Sequence, residues 1–138
     1  MSQPRYLLDD QIGYLLRRVQ QRHLALFSAA IPQVTTTQWA VLARLHQLGP
    51  MSQNLLGRET AMDAATIKGV VDRLIRLNLV ATAPDPDDRR RLTVSLTDTG
   101  RALFETTAAT ALSVSAATLD PLTAKEQDLL MSLLARLT

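Results

Sequence analysis

The side chains best suited to bind an anion are Arg89, Arg90 and Arg91, which sit among Asp85, Asp87 and Asp88. Guanidinium groups grip phosphate through paired N–H donors, and a narrow A·T-rich minor groove attracts them by its negative potential. Arg90 at the turn is the candidate for such a groove. Asp88, two residues earlier, is placed to orient it by a charge-assisted hydrogen bond. Arg89 and Arg91 are candidates for phosphate or solvent. A second set lies upstream: Ala64, Ala65, Thr66, Lys68, Gly69 and Arg73. The small residues permit close approach and apolar contact with thymine methyls, and Lys68 can reach a guanine or a phosphate. Arg73 suits a phosphate clamp or an acid elsewhere. Gly69 costs a helix about 1 kcal/mol against alanine, so its bare Cα serves either contact with DNA or packing on another backbone.

These residues need elements to hold them. After Asp63, a natural N-cap, Ile67, Val70, Val71, Leu74 and Ile75 recur at helical spacing, which turns the small residues and Lys68 outward. Pro84 to Asp88 interrupt regular structure. Leu92, Val94 and Leu96 then alternate with polar residues, as in a strand with one buried face. Leu79–Ala83 can pair with that strand, giving a hairpin with the arginines at its tip. Upstream, residues 9–31 read as one long helix, ended by Pro32. Thr35, Thr36 and Thr37 offer caps for a second helix, with Trp39, Leu42, Leu45 and Leu48 on one side and a stop at Gly49-Pro50. Ser52 can cap a short third helix with Leu55 and Leu56 turned inward, and it joins the candidate DNA contacts. The order helix, short helix, helix, hairpin is that of a winged helix-turn-helix. Thr97 can cap a fifth helix carrying Leu103, Phe104, Ala108, Ala111 and Leu112 on one side and ending near Leu119. Thr123 and Glu126 have capping-box spacing for a last helix, where Leu129, Leu130, Leu133, Leu134 and Leu137 recur. The fold expected is mainly α with a small β-hairpin. The terminal helices are apolar on more than one side, so they either cover the winged region in cis or form a two-fold dimer interface.

The 138 residues carry a net charge of only +2, too little to argue for nucleic acid by itself. All the basic residues but Lys68 and Lys125 are arginine, which suits phosphate and base edges but also follows from a GC-rich genome. There is no cysteine, which excludes a disulfide scaffold, a zinc finger and a thiol sensor. His23 and His46 are too few and isolated for a metal site. No nucleophile–base–acid set, phosphate loop or dinucleotide fingerprint is present, so neither catalysis nor a cofactor is expected. No basic region followed by an apolar run marks a leader, and no apolar run approaches membrane length, so a cytoplasmic protein is expected.

Asp72-Arg73-Leu74, Leu79-Val80, Asp88-Arg89-Arg90, Val94-Ser95-Leu96-Thr97 and Gly100 together resemble the MarR family of bacterial transcriptional regulators. The likeness covers nearly the whole chain, with Asp-x-Arg at the wing, then a strand and Leu-Thr-x-x-Gly. It implies a single domain of 1–138, with dimerisation helices at 6–32 and 98–138 and a winged DNA-binding region at 35–97. It also implies a homodimer whose recognition helices enter successive major grooves of a pseudo-palindromic operator, with Arg90 in the minor groove and Asp88 as its partner. Where many members carry Thr-Arg in the recognition helix, this chain has Lys68-Gly69. Asp63 to Val71, Gln21 to Ala25 and Thr37-Gln38-Trp39 are similar to regulators of nicotinic acid degradation. Members of the family bind effectors between the winged domain and the dimer helices. The resemblance therefore implies a repressor released by a small aromatic acid such as a hydroxynicotinate. His23 and Phe27 one turn apart, Trp39, and a cation from Arg18 or Arg22 would suit such an acid; each could equally be a packed or satisfied residue. A winged helix used for protein contact, with no specific DNA site or effector, is the alternative.

Overall fold

The computed structural model describes residues 3–138. Its helices start where a side chain can take the first free backbone N–H groups. Thr35 Oγ1 accepts from Gln38 N–H (3.2 Å) while Gln38 Oε1 accepts from Thr35 N–H (2.9 Å), a capping box that opens α2 (Thr36–Leu48). Gly49, with φ of 86°, ends it in a backbone region that side chains disfavour. Ser52 caps α3 (Gln53–Glu59) and Asp63 caps α4 (Ala64–Arg76). Thr97 Oγ1 accepts from Gly100 N–H (3.0 Å) at the start of α5 (Asp98–Leu119). Thr123 and Glu126 close a second capping box on α6 (Ala124–Arg136). The first helix is shorter than expected: Leu8–Asp10 form a 3-10 turn, Gln11 is extended, and α1 runs over Ile12–Ala30.

The chain divides into two compact units, one of Ile31–Ala109 and one of the residues up to Ala30 with Thr110–Thr138. In the first, α2, α3 and α4 pack with a three-stranded antiparallel sheet in the order β1-β3-β2. Here β1 is Met51–Ser52, β2 is Val80–Pro84 and β3 is Leu92–Leu96. The winged helix-turn-helix expected from the sequence is present, and the hairpin gains β1 as a third strand, with Met51 opposite Val94 and Ser52 opposite Thr93. β2 starts one residue later than expected, pairing Val80 with Leu96 and Pro84 with Leu92. Leu79 is instead spent on ending α4. Its N–H donates to Leu74 O (3.0 Å) and that of Asn78 to Ile75 O (2.9 Å), a Schellman motif with Asn78 left-handed at φ of 59°.

The core of this unit holds Val41, Leu42, Leu45, Leu56, Ile67, Val70, Val71, Leu74, Leu79, Val80 and Val94, all buried. Four expected faces are corrected. The buried side of α2 is Gln38, Val41, Leu42 and Leu45, because Gln38 turns inward to serve Thr35, and this leaves Leu48 exposed. Leu55 is exposed, since the two-turn α3 presents only Leu56 and Gly57 to the core. Ile75 lies about 80° round α4 from Ile67 and is exposed, whereas Leu74 is buried. On β3 only Val94 is fully buried, and Leu92 near the tip is exposed.

The other unit contains the 3-10 turn at Leu8–Asp10, α1, the second half of α5 and α6. Among the described residues its only fully buried apolar side chains are Phe27 and Val114. Leu8, Ile12, Leu16, Val19, Leu129, Met131 and Leu137 are exposed, as is Leu112 (73%).

One glycine is demanded by contact. A Cβ on Gly100 would collide with the carbonyl oxygen of Leu79, a backbone atom that cannot turn aside. Gly100→Ala is expected to destabilise the fold by about 1–3 kcal/mol, read as a lower urea midpoint; an unchanged midpoint rejects the close approach.

Candidate nucleic-acid interface

α4 presents Ala64, Ala65, Thr66, Lys68 and Arg73 to solvent, with Gly69 half-buried among them. The Asp63 carboxylate accepts from Thr66 N–H at 2.7 Å, and this bond holds its pKa below the ordinary value. Lys68 is not a free cation: its Nζ lies 3.0 Å from Asp72 Oδ2, one turn on. A DNA phosphate would therefore compete with an exposed ion pair worth about 0.5 kcal/mol. Gly69 packs on no other backbone. A Cβ there would meet only the Arg73 guanidinium, at 3.3 Å, the far end of a flexible side chain. The interior packing reason for this glycine is thus removed.

The wing loop is closed by its own backbone. Asp85 N–H donates to Arg91 O (2.8 Å), and Arg91 N–H to Asp88 O (2.9 Å). Asp88 Oδ1 accepts from both the backbone N–H (3.0 Å) and Nε (3.3 Å) of Arg90. Arg90 is 93% exposed, so this pair orients the guanidinium and adds little stability. Arg89 is exposed and has no partner among the described residues.

Between the wing and the start of α3 lies a cleft of about 740 Å³ lined by Ser52, Gln53, Asn54, Arg58, Asp88, Arg90, Arg91 and Leu92. Ser52 Oγ accepts from Leu55 N–H (3.2 Å), which leaves its own proton to donate into the cleft. Gln53, Asn54 and Arg58 were not anticipated. Arg58 lies one helical turn beyond Asn54, so the signal was a polar face on α3 that needed β1 to bring it beside the wing.

The residues considered for an acid ligand are divided. On α1, Arg22 is committed: its Nη1 donates to Thr118 O (2.6 Å) and its Nη2 to Ala117 O (2.8 Å), capping the free carbonyls at the end of α5. His23 Nδ1 lies 2.8 Å from Thr118 Oγ1. Phe27, one turn on, is buried. Arg18 is exposed and forms no hydrogen bond or ion pair among the described residues; it stands about 140° round the helix from His23. Trp39, in the other unit, stacks on Phe104 with centroids 4.7 Å apart, and Phe104 meets His46 at 4.6 Å. His46 Nε2 in turn lies 3.1 Å from Glu105.

The profile of the MarR family matches residues 34–92, from the start of α2 to the wing. The transcriptional repressor NicR of Pseudomonas putida is 40% identical over 134 residues, 96% of this chain and 85% of NicR. The chain belongs to the MarR family. The crystal structure of a probable transcriptional regulator from Pseudomonas aeruginosa superimposes with a TM-score of 0.93 at 53% identity, covering 96% of this chain and all of that one. Bordetella bronchiseptica BpsR, whose DNA binding is regulated by 6-hydroxynicotinic acid, gives a TM-score of 0.91 at 38% identity over 97% of both chains. No described helix is long and apolar enough to cross a membrane.

In this MarR-family chain α4 should be acid-sensitive at its first turn. The Asp63 cap contributes fully above the unfolded carboxylate pKa, near 3.8, and is lost as pH falls through the lower folded value. Asp63→Asn keeps an acceptor but no titrating charge. The protection of the Thr66 amide, its exchange rate relative to an unstructured amide at the same pH, should therefore fall in acid for the wild type and lose that pH-dependent component in the variant. Equal profiles would remove the carboxylate cap.

Proposed function

We propose that this protein is a homodimeric repressor that binds a pseudo-palindromic operator and leaves it when a small aromatic acid binds. The observation that carries the DNA reading is the pairing, within one unit, of an outward α4 face that sets small residues beside Lys68 and Arg73 and a wing whose Arg90 is aimed by Asp88. In this reading Ala64, Ala65, Thr66, Lys68 and Gly69 approach base edges in the major groove. Ser52, Arg73, Arg89 and Arg91 face phosphates, and Arg90 enters the minor groove. The cleft adds Arg58 to the phosphate contacts.

The dimer is supported by α1, α5 and α6. A unit that fully buries only Phe27 and Val114, while leaving Ile12, Val19, Leu112 and Leu137 in solvent, lacks a core of its own. A second copy would cover those side chains, and two-fold symmetry would set the recognition helices on half-sites about one helical turn apart. The effector reading draws on the likeness to BpsR and on Arg18 and His23, with Phe27 and Trp39 as candidate apolar contacts. Arg22 serves there by holding α5, and Arg18 is the cation left for a carboxylate. Release follows if the acid prefers the spacing of recognition helices that does not fit DNA.

Footprinting on the promoter of its own gene tests the reading: two protected half-sites are expected, and Arg90→Ala should weaken binding and lower the salt slope by about one unit or less. A single asymmetric half-site, or an unaltered slope and affinity, rejects this geometry. Gly69→Ala separates contact from folding, because its two effects have opposite sign. It should stabilise the free protein by about 1 kcal/mol and weaken operator binding; unaltered affinity removes Gly69 from the interface. For the effector, a hydroxynicotinate at about 100 times its Kd should add about 2.7 kcal/mol of stability. No thermal shift across a panel of aromatic acids rejects the effector and leaves the DNA reading intact.

A further inference from the structure

Thr118 and His23 fix one another's protons. The Thr118 hydroxyl lies 2.9 Å from the carbonyl oxygen of Val114, one turn back on α5, and 2.8 Å from His23 Nδ1. A carbonyl can only accept and a hydroxyl has one proton, so the Val114 bond uses that proton. The contact to His23 is then an Nδ1–H donating to the hydroxyl oxygen. The reverse arrangement, with the hydroxyl turned to an unprotonated Nδ1, would break the Val114 bond. Arg22 holds the same residue from its backbone side, with Nη1 on the Thr118 carbonyl at 2.6 Å. A neutral imidazole that carries its proton on Nδ1 has its lone pair on Nε2. Among the described residues His23 makes no second hydrogen bond, and its ring is half-buried. A polar atom in that position is satisfied by a partner that donates.

We propose that Thr118 is a positioning residue that locks His23 in the Nδ1–H form, so that Nε2 selects effectors presenting an N–H or O–H donor. This rests on the effector reading above and deepens it by naming the ligand chemistry. The class is an aromatic acid with a ring hydroxyl or lactam N–H, preferred over the parent acid whose ring nitrogen only accepts. 6-Hydroxynicotinic acid and nicotinic acid differ in this respect. An acceptor facing an acceptor leaves both unpaired, and sites built to hydrogen-bond one group discriminate strongly against an analogue that lacks it.

Two measurements on the full-length protein test the proposal. Long-range ¹H–¹⁵N correlation spectra of the ligand-free protein should show His23 protonated at Nδ1, and Thr118→Val should shift the ring toward a mixture of tautomers. Calorimetry should find 6-hydroxynicotinic acid bound at least about tenfold more tightly than nicotinic acid. Thr118→Val should shrink that ratio to within about threefold, and Thr118→Ser, which keeps the hydroxyl, should restore it. An Nε2–H ring in the wild type, or a ratio that Thr118→Val leaves unaltered, overturns the proposal. Equal affinity for the two acids also overturns it while leaving the effector reading in place. Binding of neither acid, or of any related one, overturns both.

Discussion

Leu79 closes α4 with its N–H and holds the start of α5 with its carbonyl. The N–H reaches Leu74 O at 3.0 Å, the carbonyl accepts from Thr97 N–H at 3.1 Å, and Gly100 packs its bare Cα against the same oxygen. Thr97 Oγ1 also donates to Asn78 O at 2.7 Å. The Leu79 side chain is buried beneath. α4, the wing and α5 therefore meet within two residues, and none can rotate without breaking backbone hydrogen bonds in a buried place, where each unpaired group costs about 1–3 kcal/mol. The register of β2 follows from this junction, since the strand can begin only at Val80, once Leu79 has ended the helix.

With the junction fixed, the outer face of α4 and the wing tip are free to be poor at folding. Gly69 weakens α4, Lys68 is paired only with an exposed Asp72, and Arg90 extends almost wholly into solvent. These choices contribute little to the free protein, whose stability lies in the buried layer that holds Ile67, Val70, Val71 and Leu74 of α4 together with Leu42, Leu56 and Val94. Removing one such side chain would cost about 2–5 kcal/mol, several times what any surface charge supplies. The side chains of α4 that stabilise the fold thus lie on one face of the helix, and its small and charged residues on the other.

How far the fold was legible follows from the range of each interaction. Thr35, Ser52, Asp63, Thr97 and Thr123 could be named as caps because a cap and its target lie within three residues. The pairing of Asp88 with Arg90 spans two residues and was visible for the same reason. The first turn of α1, the face of α2 and the start of β2 were not. A buried Gln38 defeats a purely apolar stripe, and two residues of β1 carry no periodicity. Arg22 is the clearest case. Its sequence surroundings suited a cation for a carboxylate, but its partners are 95 and 96 residues away, and only the folded chain shows that it is spent on α5.

α5 is held by carbonyl groups at both of its ends, each within its own unit. At its start the Leu79 carbonyl accepts from Thr97 N–H, and in its last turn the carbonyls of Ala117 and Thr118 accept from Arg22. The end of a helix leaves carbonyls without intrahelical donors, and one guanidinium reaches two of them at once. In the same turn the Thr118 hydroxyl lies between the Val114 carbonyl and His23 Nδ1. Two side chains of α1, Arg22 and His23, are therefore fixed by one residue of α5, the first through its backbone and the second through its side chain, so a substitution at Thr118 removes the second contact and leaves the first.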